Sequence, residues 1–314
     1  MYAAGDPRAA LAAPSERKAS APTEFAGAEY AKFYETPPQE DDGSARSWYA
    51  RGQNFIVVYS EAKPGAVFAR SKQPDEYAIM IPDRDVSIEI AAGGETVKVG
   101  GNSLAFVPPG DSRITVPTGG RIVRLFSARC GDIAAKCANA ASYATAHPNI
   151  PPFEPWPEPK GGYRIRPYSL DIKGEQGRFG RIFRCTNFMI NYLEPRDGPR
   201  DTSKLSPHFH DDFEQCSLAL AGDFIHDIRW PWTPNMAAWR DDDHERCGSP
   251  SIAVIPPPAI HTTRAIGPKL NQLVDIFSPP RLDFSMKEGW VLNADDYPMP
   301  AADIPLIPHL IDLL

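Results

Sequence analysis

Apolar residues along this chain come in short runs rather than in long helical stripes. The runs NFIVVYS (54–60), EYAIMIP (76–82), FMINYL (188–193) and SIAVIPP (251–257) are rich in β-branched and aromatic residues, with turn-forming residues between them. The chain carries 34 prolines and 23 glycines in 314 residues, enough punctuation to break helices and end strands. The pattern predicts an all-β protein of the sandwich or barrel class with few short helices.

The runs fall into two blocks. Residues 1–45, rich in Ala, Pro, Ser, Glu and Asp, show no period and are expected to be a partly disordered arm. A β-rich block covers 46–128. A connector follows over 129–162, with small residues suited to a short helix up to Ala146 and then a stiff proline-rich stretch. A second β-rich block covers 163–280, and a proline-marked tail runs over 281–314 with a helical turn expected at HLIDLL. Asn54, Phe55, Tyr59, Glu61 and Gly65 recur as Asn187, Phe188, Tyr192, Glu194 and Gly198 at one constant offset. Five ungapped matches, each leading into a similar downstream pattern, point to an internal duplication.

The second block carries the chemistry. In SPHFHDDFEQ, strand alternation sends His208 and His210 to one side, and Glu214 follows at an even spacing. His261 ends a later β-run. Three neutral imidazoles and a carboxylate suit a first-row divalent ion. His-x-His alone is a weak signal, but its context resembles the two motifs of the cupin superfamily. The first reads His-x-His, three or four residues, Glu, then Gly, and matches His208, His210, Glu214 and Gly222. The second is matched by Pro256 to His261, with Pro258 where the family has a turn glycine. The resemblance implies two jelly-roll barrels (the double-stranded β-helix), a bicupin, and a metal held by His208, His210, Glu214 and His261. Asp211 and Asp212 compete for the carboxylate role and are expected at the barrel mouth.

In the first block, Arg70, Lys72 and Glu76 stand in the frame of His208, His210 and Glu214, and Arg113 in that of His261. Fixed cations cannot ligate a metal, so this barrel is expected to be metal-free. Its three cations either pair with Glu76 or form a small anion site. Around the metal, parity with Glu214 predicts a pocket floor of Cys216, Leu218 and Leu220. His226 and Arg229 are candidates for proton transfer or for anchoring a carboxylate. The loop after Trp230 and Trp232 offers Trp239, His244 and Arg246 as residues shaping access.

Composition narrows the partners. A net charge of −7 and a pI near 5.5 argue against nucleic acid and anionic membranes. Five cysteines without a C-x-x-C pair give neither a disulfide framework nor a cysteine zinc site, and the charged N-terminal stretch lacks a signal-peptide core. The expectation is a cytoplasmic monomer or homodimer acting on a small molecule. It would carry one divalent ion per chain, Fe2+ or Mn2+ ahead of Zn2+, Ni2+, Co2+ or Cu2+. The leading expectation is a dioxygenase on a metal-chelating aromatic or oxygen-rich substrate. The alternatives are a non-redox isomerase, lyase or hydrolase, and a non-catalytic binding protein.

Overall fold

A computed structural model of the chain describes residues 25–175 and 177–301. The final turn at HLIDLL and the part of the arm before Phe25 lie outside the described residues. Each strong β-run is a strand. The first half of the chain gives β1 (Glu29–Lys32), β2 (Glu40–Asp41), β3 (Ala45–Arg51), β4 (Phe55–Ala62), β5 (Ala66–Gln73) and β6 (Tyr77–Ile81). It continues with β7 (Ser87–Ala92), β8 (Glu95–Gly100), β9 (Ser103–Val107), β10 (Gly110–Val116) and β11 (Gly120–Ser127). The connector holds a helical turn at Gly131–Ala134 and a 3-10 turn at Ala140–Tyr143. Next come β12 (Arg166–Ser169), β13 (Arg181–Arg184), β14 (Met189–Tyr192), β15 (Arg196–Asp197) and β16 (Glu214–Ala221). The last strands are β17 (Phe224–Arg229), β18 (Asp243–Cys247), β19 (Ser251–Ile255), β20 (Ile260–Ala265) and β21 (Leu270–Ser278).

These strands form two jelly-roll barrels. In the first, the sheet β12-β9-β6-β11-β4-β3-β2 faces β5-β10-β7-β8; in the second, β1-β19-β16-β21-β14-β13 faces β18-β17-β20. Two strands cross over. Strand β1, from the stretch expected to be an arm, pairs with β19 of the second barrel. Strand β12, which follows the connector, pairs with β9 of the first. Each barrel therefore carries an edge strand from the other half of the chain.

The two large sheets pack face to face. Phe55, Val57, Tyr59, Met80 and Leu125 of the first meet Phe188, Ile190, Tyr192, Cys216, Leu218 and Ile276 of the second in one buried cluster. A fully buried aliphatic or aromatic side chain contributes about 1.5–3 kcal/mol, so this shared core ties the barrels together. It also explains two repeat identities, Phe55/Phe188 and Tyr59/Tyr192, while a third, Gly65/Gly198, reflects a turn at positive φ in both copies. Cys216, Leu218 and Leu220 belong to this core. They are not the pocket floor that parity with Glu214 predicted.

Candidate metal centre

His208 and His261 face each other across an antiparallel bridge between the 208 segment and β20. Their ring centroids are 4.5 Å apart, and His210 lies 5.1 Å from His261 and 6.4 Å from His208. His210 and His261 are buried, while His208 sits at the exposed rim.

Every Nδ1 is committed to a backbone carbonyl: His208 to Ser206 at 2.9 Å, His210 to Phe213 at 3.0 Å, and His261 to Ala259 at 3.0 Å. A carbonyl only accepts, so each Nδ1 carries the proton and each Nε2 keeps its lone pair. The Nε2 atoms of His210 and His261 both lie 3.2 Å from the Oε1 of Gln215. That oxygen is fixed in orientation, because the Gln215 amide donates to Ser217 Oγ at 3.3 Å and Asp275 Oδ1 at 3.4 Å. Burial pushes the Asp275 carboxyl up to about 6 and the His261 imidazole down to about 3, and lowers His210 well below its usual range.

Three acceptors thus converge with no proton among them. A cation at their meeting point would satisfy all three, and neutral imidazoles held through Nδ1–H by carbonyls are the usual orientation for metal ligands. Among the described residues no three His, Cys, Asp or Glu side chains form a metal cage by themselves. The convergence is of two imidazoles and an amide, with His208 beside them. Residues able to hold a divalent ion are therefore His208, His210, His261 and Gln215.

Glu214 is elsewhere. It is fully buried, but its carboxylate accepts from the backbone N–H groups of Gln53 (2.9 Å) and Asn54 (3.1 Å) in the first barrel. Gly52 leaves the room: a Cβ there would stand 2.6 Å from the carboxylate. Burial pushes Glu214 up to about 7, opposed by these two N–H donors. Glu76 makes the mirror contact. It accepts from the Thr186 N–H and hydroxyl, each at 2.7 Å, and from Tyr297 at 2.9 Å. Thr186 and Asn187 stand at the repeat's own offset from Gln53 and Asn54, so the duplicated glutamates form a reciprocal clamp between the barrels.

The cations of the first barrel do not gather on Glu76. Arg70 pairs with Asp132 at 2.5 Å, and Lys72 and Arg113 are exposed. A register shift between Gly110 and Ser112 puts Ser112, rather than Arg113, inside. There Ser112 lies 2.9 Å from the Tyr77 hydroxyl, in the place of the His261–Gln215 contact. Tyr77 stacks on Phe126, centroids 4.8 Å apart, and fills the space.

The remaining candidates divide. His226 faces the lumen, with Nδ1 2.9 Å from Thr263 Oγ1, and burial lowers it to about 4. Arg229 points outward and pairs with Asp242. His244 and Arg246 pair on the outer face with Asp227 and Asp223. Trp239 stacks on Trp232, whose ring is exposed. Asp211 and Asp212 are exposed near the mouth. Four contributors were not anticipated: Gln215, Asp275, Phe213 and Arg281. Phe213 stacks on His210 at 4.0 Å, and Arg281, held by Asp283, lies over Phe213, Phe277 and Phe284. Only Gln215 left a trace in the sequence, since the longer of the two motif spacings after His210 lands on it.

No family model and no curated protein matches the chain. Solved structures do. A formate complex of oxalate decarboxylase from Lactobacillus farciminis superposes with a TM-score of 0.55 at 14% identity, over 80% of this chain and 86% of that one. AerE from Microcystis aeruginosa gives 0.52 at 10% identity, over 82% and 99%. A single-residue variant of the Bacillus subtilis oxalate decarboxylase gives 0.54 at 14% identity, over 84% and 79%. At such identities the likeness is one of fold. No helix among the described residues is long and apolar enough to cross a membrane.

Proposed function

From its standing as a bicupin in fold, we propose that this chain is a metal-dependent enzyme whose second barrel holds one divalent ion through His208, His210, His261 and Gln215. The observation carrying this is the convergence of His210 Nε2, His261 Nε2 and Gln215 Oε1 without a donor between them. The set is neutral throughout, so a bound ion would keep its full charge and favour an anionic, chelating substrate. Such an ion supplies charge stabilisation of bound oxygens and, for iron or manganese, a place for O2 beside the substrate. Asp275 and Ser217 hold the Gln215 amide in register. Phe213, Phe277 and Met189 wall the site with apolar surface that excludes water.

The leading reading is a dioxygenase on a small anionic chelator of aromatic or oxygen-rich type. The buried, neutral His226, with a free Nε2 in the lumen, supports a second reading in which it moves a proton for a non-redox isomerase or lyase. The test is metal analysis followed by oxygen-electrode screening of Fe2+-loaded protein with catechols, hydroxyquinones and keto-acids. Oxygen uptake with one of them supports the first reading. Product formation without uptake transfers the case to the second, and failure to retain any divalent ion would sink both.

A further inference from the structure

The sheets of the second barrel place a row of side chains across the lumen one step deeper than Gln215. Register pairs Asn191 with Asp275, Asp275 with Ser217, and Ser217 with Ala253, so these side chains share the inward face. The facing sheet pairs His226 with Thr263 at the same depth. Asn191 is wholly buried and His226 nearly so. Yet Asn191 Oδ1, Asn191 Nδ2 and His226 Nε2 have no hydrogen-bond partner in the protein. Buried polar atoms without partners are rare, and each calls for a ligand or ordered water.

The first barrel is the internal control. There the row reads Val58, Arg124 and Ile79, with Ile90 paired to Ile114 on the facing sheet. The offset of the repeat relates Val58 to Asn191. Of the six positions, the four held by Asn191, Ser217, His226 and Thr263 are apolar in the barrel that lacks the histidines and polar in the one that has them. A fifth holds Arg124 in one and Asp275 in the other, and the sixth is alanine in both, Ala105 and Ala253.

We propose that this deeper row is a substrate subsite, in which Asn191 and His226 hydrogen-bond neutral hydroxyl groups at the end of the substrate remote from the metal. The proposal rests on the metal-dependent reading above. An amide offers both a donor and an acceptor, as a hydroxyl requires. The charge pattern disfavours a second anion there. Asp275 reaches this depth, while Arg229 and Arg264 pair with Asp242 and Asp227 outside the lumen and Arg281 stands at the metal end. The substrate class is therefore a hydroxylated acid: an anionic head for the ion, with neutral hydroxyls behind it.

Glycolate and threonate share the head, and only threonate carries further hydroxyls, so titrating both into the Mn2+-loaded full chain isolates the subsite. Wild type is expected to bind threonate at least tenfold more tightly than glycolate. Asn191→Val and His226→Ile, which install the first barrel's residues, are expected to keep one Mn2+ and the glycolate affinity while erasing that preference. Equal affinity of wild type for the two acids would overturn the subsite, as would two folded variants that kept the preference. The substitutions lie on opposite sheets, so one that failed to fold would leave the other to decide. If wild type took up no Mn2+, the metal reading would fail on its own. The His226 imidazole nitrogen shifts of the metal-free protein, followed as threonate is added, would then decide the subsite: movement supports it, and none overturns it.

Discussion

The two barrels share a fold, a glutamate clamp and a set of core aromatics, and differ in what fills the lumen. In the first, Tyr77 stacks on Phe126 and closes the space with apolar surface. Arg124, the deep charge of its row, lies 4.2 Å from the Phe68 ring and donates to the Ser60 hydroxyl. In the second, the places of Tyr77, Ile79 and Arg124 hold Gln215, Ser217 and Asp275, Phe277 stands where Phe126 does, and two imidazoles meet the glutamine. The duplication kept the pairs Phe55/Phe188 and Tyr59/Tyr192 and the two glutamates that join the barrels, and varied most of the polar positions inside them. The polar residues found in one lumen only are the candidates for chemistry.

The largest effect expected is on metal: His261→Ala or His210→Ala should abolish tight binding of a divalent ion, measured by elemental analysis after dialysis. His208→Ala, at the exposed rim, should weaken it less. Equal losses from all three would mean that His208 swings fully into the site.

Next comes the clamp. Glu76→Ala and Glu214→Ala each strand buried hydrogen-bond donors of the opposite barrel and leave a cavity, a cost of about 3–5 kcal/mol by urea unfolding. A variant as stable as wild type would place that carboxylate in solvent.

The isosteric amides should separate the two clamps. In Glu76→Gln the amide oxygen keeps both Thr186 donors, and the amide NH2 can donate to Tyr297, whose hydroxyl turns to accept. In Glu214→Gln the NH2 must face a backbone N–H whichever way it lies, which costs about 1–3 kcal/mol more. Equal stabilities of the two variants would contradict the bonding pattern.

The smallest effect is on pH. Burial, opposed by hydrogen bonds from Thr186 and Tyr297, raises Glu76 above the ordinary glutamate range. The folded state then binds more protons than the unfolded one between the unfolded and folded values. Stability is full below the unfolded value and falls as pH rises through that window. Glu76→Gln should remove this part of the slope of stability against pH, and an unchanged slope would assign it to other groups.

Much of this was legible in the chain. The β-runs, the duplication and the three histidines all lie where the sequence puts them, because strong periodic runs and turn residues act locally. The fourth position was not legible. Counting faces from His210 assumes a straight strand, but the backbone bends at Asp211 and Asp212 before β16 begins, and this brings Gln215 to the histidine side. Apolarity gave no correction, since Glu214 through Leu220 are buried on both faces. The apolar side, Cys216 and Leu218, looks at the other barrel, and the polar side looks into the lumen. The shift at Gly110 misled the reading of Arg113 in the same way. Alternation carries from one residue to the next only until the first irregularity.

Whether Gln215 completes the metal site while its neighbour Glu214 joins the barrels is decided by measuring Mn2+ affinity and unfolding free energy on Gln215→Ala and Glu214→Gln side by side. Gln215→Ala is expected to lose at least tenfold in Mn2+ affinity, and Glu214→Gln to keep the ion and unfold more easily. Loss of the ion from Glu214→Gln, with Gln215→Ala binding as wild type, would reverse the two assignments.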